Sequence, residues 1–580
     1  MELLWKYIKP YQKYVWMAPL FMLLGTGCEL LTPKLMTILI KYGVEAGDVA
    51  FIAKMGAVMI GIALFGIVGS IGCLISAAKA SQGTGADLRK AAFVKIQTFS
   101  FGNIDTFQTP SLITRLTNDI TQIQMVIFMM LHIMIRAPLL CLGSIVMAFQ
   151  INTRMAGMFL IIILILAAAI VGILKIALPR FRIVQERLDR VNTVMRECLA
   201  GIRVVKAFVR HAYEQERFWE VNESYKKSSL RAFFIMLMAM PVMMLILNSS
   251  IVAILWFGAK QVEIGTLFPA DIMALITYMM QMLMAMMMIA MIFMTISRAK
   301  VSVDRVMEIL QVEVDLKEPE MPKEATVKNG RVEYRDVSFC YKKGTGEPVL
   351  SHISFTAEPG ETVAILGETG SGKSTLVNLM PRLYDVTEGE VLIDGINVKE
   401  YGLDNLRKKI SLVLQDTVLF TGTIRDNIKW GKSDATDEEM IAAAKAAQAH
   451  DFICTFPKGY DTELGQKGVN VSGGQKQRIS IARSLIRQSE VLIFDDSTSA
   501  VDSLTEKRIR ETMAKTHRGC TKFIIAQRIS SVKDADKILV LKNGTMVAMG
   551  KHHELMATSK DYQDIYASQL QKGEMLHGEA

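Results

Sequence analysis

The chain has 580 residues, 51% of them apolar, a formal net charge of +9 and seven cysteines. That length exceeds one domain, and so apolar a composition is high for a protein that is soluble throughout. The Lys and Arg excess is confined to particular stretches between apolar runs, so no nucleic-acid partner is expected, and the scattered cysteines form neither a metal spacing nor a disulfide framework.

MELLWKYIKPYQKY opens the chain and reads as a short interfacial helix stopped at Pro10. It lacks a short apolar core with a small-residue cleavage site, so no removable signal peptide is expected. Six mostly apolar runs then reach the length of about 20 residues that crosses a bilayer: Tyr14–Ile40, Ala57–Ala77, Val126–Phe149, Met155–Leu174, Phe233–Phe257 and Ile272–Ile296. The connection after the second run carries Lys79, Arg89, Lys90, Lys95 and Arg115. The one after the fourth carries Lys175, Arg180, Arg182, Arg187, Arg190, Arg196, Arg203, Lys206 and Arg210. Cations mark the cytoplasmic side, which puts both long connections and both termini in the cytoplasm. These connections keep a helical apolar period, as in Leu188–Phe218, so spans two to five are predicted to continue as helices beyond the bilayer.

Polar groups inside spans are costly and usually functional. Glu29 lies in the first span a turn before Pro33, and Arg136 lies in the third near Pro138. They read either as a pair lining a substrate cavity or as a structural ion pair or snorkelling arginine. Gln281 in the sixth span is a further substrate candidate. The fifth and sixth spans are rich in methionine (Met236, Met238, Met240, Met243 and Met244; Met279, Met280 and Met282 onward), which suits either plain helix packing or a surface for varied apolar compounds.

Ser297–Lys328 is polar, with Pro319 and Pro322, and reads as a helical exit followed by a linker. The predicted organisation is a membrane all-α six-helix domain over residues 1–310, a linker over 311–331 and an α/β P-loop nucleotide-binding domain over 332–580. ETVAILGETGSGKSTLVNLMPRL reads as strand, glycine loop and helix, the context a P-loop requires. Gly367, Gly370 and Gly372 let backbone N–H groups of Gly367–Thr375 (with Glu368, Thr369 and Ser371 between) approach phosphates at a helix start. Lys373 reaches the β- and γ-phosphates and Ser374 supplies a hydroxyl to Mg²⁺. VLIFDD (Val491–Asp496) reads as a buried parallel strand ending in acids, with Asp495 the candidate Mg²⁺ ligand. Ser472, Gly473, Gly474 and Gln475 (SGGQ) open another helix and offer N–H groups to an anion. A second cradle makes sense if it closes over an ATP held by another domain.

With these motifs the chain resembles an ABC exporter half-transporter, over essentially its whole length. The resemblance implies that Tyr341 in FCY stacks on adenine and that Gln415 in LVLQD senses Mg²⁺ and the membrane domain. It implies an X-loop at Glu463–Gly468, a signature at Ser472–Gln475 and a D-loop acid at Asp502. It places coupling helices around Asp105–Ser111 and Gly201–Phe208, and implies a dimer holding two ATPs between one chain's Walker motifs and the other's signature. Val471 replaces the usual leucine before the signature, and two catalytic positions depart from the pattern. Asp496 stands where the family has a glutamate and Gln527 where it has a histidine. Asp is one methylene shorter, and misplacing a base by about 1 Å costs on the order of a hundredfold in rate; Gln can hydrogen-bond a phosphate but cannot become cationic. With SGGQ intact, the resemblance is closest to the degenerate-site subunit of bacterial heterodimeric multidrug exporters. The chain is therefore expected in the cell membrane with a second half-transporter, using ATP and Mg²⁺ to move small amphipathic compounds, with impaired hydrolysis at its own Walker site (catalytic candidates Asp496, Gln527, Asp502 and Gln415). Homodimeric lipid or peptide export and an ATP-gated channel or regulatory subunit are the alternative readings.

Overall fold

The computed structural model describes residues 2–319, 325–341, 346–496, 501–526 and 528–577. They form two compact units, 1–97 with 109–312, and 98–108 with 313–580.

The first unit is helical. Its principal helices are α1 (Gln12–Leu39), α2 (Val49–Gln97), α3 (Ile120–Ile151), α4 (Thr153–Ala200), α5 (His211–Glu263) and α6 (Pro269–Gln311). Among the described residues six helical stretches are long and apolar enough to cross a membrane. At about 1.5 Å rise per residue, α2, α4 and α5 are each roughly 70–80 Å long, more than twice a hydrocarbon core. The apolar period seen in Leu188–Phe218 is thus real helix, broken only where α4 ends at Ala200 and the short helix Ile202–Ala207 leads into α5. Pro10 ends the opening helix as expected. It sits in a single 3₁₀ turn, Lys9–Tyr11, between the opening helix Glu2–Ile8 and α1, because proline near a helix start loses no intrahelical donor. Pro19, Pro33, Pro138, Pro179 and Pro241 all lie inside helices, which neighbouring segments make tolerable in a membrane.

Polar bonds tie the apolar bundle together. The Tyr278 hydroxyl of α6 donates to the Leu30 carbonyl of α1 at 2.8 Å. Ser302 donates to Asp119 Oδ1 at 2.7 Å, just before α3 begins. The methionines divide. Met243, Met279 and Met282 are buried in the α3–α6 core with Phe159 and Tyr278, whereas Met236, Met238, Met240, Met244, Met280 and Met284 are exposed.

The second unit has two main sheets. β1 (Val332–Phe339), β2 (Leu350–Ala357), β4 (Glu388–Ile393) and β5 (Ile396–Asn397) form an antiparallel sheet in the order β2-β1-β4-β5. β3 (Thr362–Gly367), β6 (Ile410–Val413), β9 (Val491–Asp495), β10 (Thr521–Ile525), β11 (Lys537–Lys542) and β12 (Thr545–Gly550) form the larger one, in the order β12-β11-β3-β10-β9-β6. It is parallel except for the β12 edge. A two-strand ribbon, β7 (Gly422–Thr423) with β8 (Glu463–Leu464), stands apart. Ile365, Ile493 and Phe523 pack with Tyr334 and Phe355 in one core, the two aromatic rings of β1 and β2 stacked with centroids 4.7 Å apart. Buried on both faces, the parallel strands read as continuous apolar runs. Their carboxyl ends carry the glycine loop after β3 and the acids at the end of β9, the edge at which open α/β sheets bind ligands.

Ile493 is fully buried in the middle of β9. Replacing it with alanine is expected to cost about 2–5 kcal/mol through lost contacts and a residual cavity. Thermal unfolding of the purified chain, followed through the second unit, checks this by a lowered midpoint.

Candidate functional site

The glycine loop is left-handed at three points, with φ of 153° at Gly367, 86° at Gly370 and 96° at Gly372. A Cβ on Gly372 would approach Leu350 Cδ2 within 2.7 Å, so close packing as well as torsion demands glycine there. A Cβ on Gly370 would meet nothing within 4 Å. There the left-handed torsion alone favours glycine, and helix Lys373–Leu379 starts at the loop's end. The Ser371 hydroxyl is buried with no hydrogen-bond partner among the described residues. An open cradle with an orphaned donor at a helix start fits a phosphate.

Lys373 Nζ donates back to its own loop, to the carbonyls of Gly367 at 2.9 Å and Glu368 at 2.7 Å. Burial lowers its pKa, and the charges of Asp496 and Asp495 oppose that shift. Ser374 Oγ donates to Asp495 Oδ1 at 2.8 Å. Two hard oxygen donors so placed fit Mg²⁺, which takes one or two protein oxygens beside phosphate. Burial pushes the Asp495 carboxyl above the usual carboxylate range. Its bond from Ser374 works against this, the negative charge of Asp496 adds to it and Lys373 opposes it. Thr369, Gly370, Gly372, Lys373, Ser374, Thr375, Gln415, Asp495 and Asp496 line one cleft of about 290 Å³, closed by Val349 and Ile525. The last two escaped the sequence reading; they are the ordinary apolar flanks of neighbouring strands.

Asp496 has φ of +44° and its N–H donates to the Ile525 carbonyl at 3.2 Å. That region costs L-residues energy, and Asp enters it far more readily than most. Comparison of side-chain lengths alone misses this backbone preference. Gln527 lies outside the described residues. The Tyr341 hydroxyl meets Thr375 Oγ1 at 2.9 Å, and its ring is about half exposed (49%).

Ser472–Gln475 do not line this cleft. Ser472 caps the helix Gly473–Leu485: its Oγ accepts the Gln475 N–H at 3.3 Å while Gln475 Oε1 accepts the Ser472 N–H at 2.9 Å. Asp502 also lies apart, as the N-cap of Ser503–Thr516, accepting the Thr505 N–H at 2.9 Å. That bond holds its carboxyl below the usual range. Glu463–Gly468 forms β8 and a 3₁₀ turn at Gln466–Gly468. In the helical unit, Glu29, Arg136 and Gln281 meet. Arg136 Nη2 donates to Glu29 Oε2 at 3.0 Å, and Gln281 Nε2 reaches the Glu29 carbonyl at 3.5 Å. About a third of each charged side chain is exposed, and Gln281 Oε1 is buried without a partner among the described residues.

Residues 15–286 match the family described as ABC transporter transmembrane region, and residues 350–499 match the family ABC transporter. The chain is 41% identical over 567 residues to an uncharacterized ABC transporter ATP-binding protein of Bacillus subtilis, covering 97% of this chain and 98% of that one. It is 35% identical over 484 residues to an ATP-dependent lipid A-core flippase of Desulfotalea psychrophila, covering 83% and 84%. A solved bacterial Atm1-family ABC exporter with ATP bound superposes with a TM-score of 0.79 at 25% identity, covering 96% of this chain and 99% of that chain.

Replacing Lys373 with alanine removes the cleft's lysine donor. ATP binding is expected to weaken roughly 10- to 150-fold, the equivalent of the roughly 1.5–3 kcal/mol of a hydrogen bond to a charged group. Equilibrium binding of a fluorescent ATP analogue checks this. Ser374→Ala is expected instead to reduce the gain in affinity that Mg²⁺ confers.

Proposed function

The chain belongs to the ABC transporter family, as a transmembrane region fused to a nucleotide-binding domain, and we propose that it is the weak-site half of a heterodimeric exporter of amphipathic compounds. Family membership by itself makes it a multi-pass membrane protein and an ABC exporter subunit. It acts as part of a dimer in the bilayer and couples ATP hydrolysis to transport.

The observation that carries the finer reading is Asp496, set at the end of β9 in a cleft otherwise furnished with Lys373, Ser374 and Asp495. A general base must reach the attacking water, and a carboxylate one methylene short holds it at the wrong distance. Bound Mg²⁺ would neutralise developing phosphate charge, held by Ser374 and Asp495, with Gln415 at the cleft wall. Tyr341 supplies the adenine platform. Ser472–Gln475 serve the partner's ATP in trans, so that hydrolysis proceeds mainly at the site built on the partner's Walker motifs. The nucleotide domain and both termini lie in the cytoplasm, on the side marked by the cationic connections.

For the substrate, Glu29, Arg136 and Gln281 form a polar point contributed by α1, α3 and α6. Exposed methionines of α5 and α6 add a yielding apolar surface. That combination suits a compound with one polar end and a greasy body. The lipid A-core flippase of Desulfotalea psychrophila, which by its name moves such a molecule, supports an amphipathic lipid as a second reading, carried by a homodimer.

The purified chain alone is expected to hydrolyse ATP far below the rate of its complex with the partner. Asp496→Glu is expected to raise its own rate by on the order of a hundredfold. Full activity of the chain alone, or a native mass equal to two copies of it, would sink the heterodimer. In proteoliposomes, Glu29→Gln is expected to raise the transport KM more than it lowers kcat; transport of amphipathic dyes at wild-type KM would leave the pair a purely structural one.

A further inference from the structure

We propose that Tyr384 is a positioning residue through which occupancy of the adenine platform at Tyr341 is passed to the segment Thr98–Gln108. The proposal rests on the reading of Tyr341 as that platform. Tyr384 follows the phosphate-loop helix. Its ring meets the Tyr341 ring edge-on, centroids 5.2 Å apart at 89°, and lies 5.7 Å from the Phe339 ring. Its hydroxyl donates to Asp105 Oδ2 at 2.8 Å, and its ring lies 6.1 Å from Phe101. Burial, then the bond to Asp105, push the phenol well above its ordinary pKa, so it stays a donor at neutral pH.

The surroundings suit transmission. Tyr384 sits on a braced loop. Buried Arg382 pairs with Asp385 at 2.8 Å and donates to the Lys317 carbonyl at 3.0 Å. Arg407 in turn donates to the carbonyls of Arg382 at 2.7 Å and Pro381 at 3.1 Å. A loop so tied passes a push on from its neighbour instead of absorbing it. The receiving segment is equally compact. Ser100 and Asn103 form a capping box, Phe99 stacks on Phe107 with centroids 5.7 Å apart, and Asn103 Nδ2 reaches the Glu313 carbonyl and Asp315 Oδ2, each at 3.4 Å. By chain connectivity, residues 98–108 lie between α2 and the stretch leading into α3, and residues 313–315 follow α6. This cluster is therefore joined to three membrane helices through the backbone itself. A base stacking on the half-exposed Tyr341 ring must load the edge-on Tyr341–Tyr384 contact. Mg²⁺ and phosphate, seated at Lys373 and Ser374, need not.

The test uses the full-length chain with its partner half in lipid nanodiscs, and follows hydrogen–deuterium exchange in 98–108 at ligand concentrations that saturate each variant. ATP with Mg²⁺ is expected to slow exchange at least about fivefold in the wild type, the lower bound for coupled sites. Tripolyphosphate with Mg²⁺ is expected to leave it within about twofold. Tyr384→Phe, which keeps the ring and loses the donor, is expected to abolish the ATP effect. Asp105→Ala should do the same, and the double variant should lose nothing more. The relay is overturned by a full ATP effect in Tyr384→Phe, by equal protection from tripolyphosphate, or by exchange raised equally with and without ATP, as a merely structural tyrosine would give. Unchanged ATP affinity in Tyr341→Ala would instead refute the adenine platform; weakened affinity there, with the ATP effect intact in Tyr384→Phe, refutes the relay alone.

Discussion

Lys373, Asp495 and Asp496 share one small cleft, and the nucleotide unit is arranged around the cost of holding them there. An isolated charge loses several kcal/mol of hydration on burial. Burial lowers the lysine, and the two nearby carboxylates counter it; burial raises Asp495, and Lys373 and the Ser374 hydroxyl counter that. The loop carbonyls of Gly367 and Glu368 accept hydrogen bonds from the ammonium. The parallel sheet supplies the geometry, since β3 and β9 flank β10 and end at the same edge. Once that edge exists, a phosphate chain can replace the loop carbonyls as the acceptor for Lys373.

The helical unit obeys a different constraint. In lipid every backbone polar group must be satisfied within the protein, so long unbroken helices are the default and prolines sit within them without ending them. The few side-chain bonds that cross the bundle gain significance for that reason. Tyr278 to Leu30 and Arg136 to Glu29 both converge on α1 one residue apart. Such bonds fix the α1 register against α3 and α6 while leaving a partly exposed ion pair.

Much of this was legible in residue order. The phosphate loop is readable because left-handed glycines, a lysine and a hydroxyl must occur at fixed spacing. Apolar runs of bilayer length betray the spans, and the helical period of 188–218 betrays their extensions. Other features were not legible. Nothing in VLIFDD announces that Asp496 turns left-handed, and nothing in GKST says that Lys373 folds back on its own loop. The bond between Tyr384 and Asp105 joins residues 279 positions apart, and only the fold can bring them together.

The Walker and signature motifs differ in what they must give up to meet an anion. Lys373 has two carbonyl partners to leave, and Ser374 has Asp495. Each bond they form with phosphate or Mg²⁺ is an exchange, so its net value is modest. Ser472 and Gln475 satisfy one another within the helix cap, yet a helix start leaves four N–H groups without intrahelical partners. The cap bond from Ser472 occupies only the N–H of Gln475, and the aligned dipole of thirteen residues stays directed outward. The signature is therefore preorganised, needing little internal rearrangement, whereas at the Walker site Lys373 and Ser374 exchange existing partners and the Ser371 hydroxyl is already open to a phosphate. Preorganised donors contribute most where charge develops in a transition state. A ready signature is what the proposed role in trans, completing a partner's site, would require.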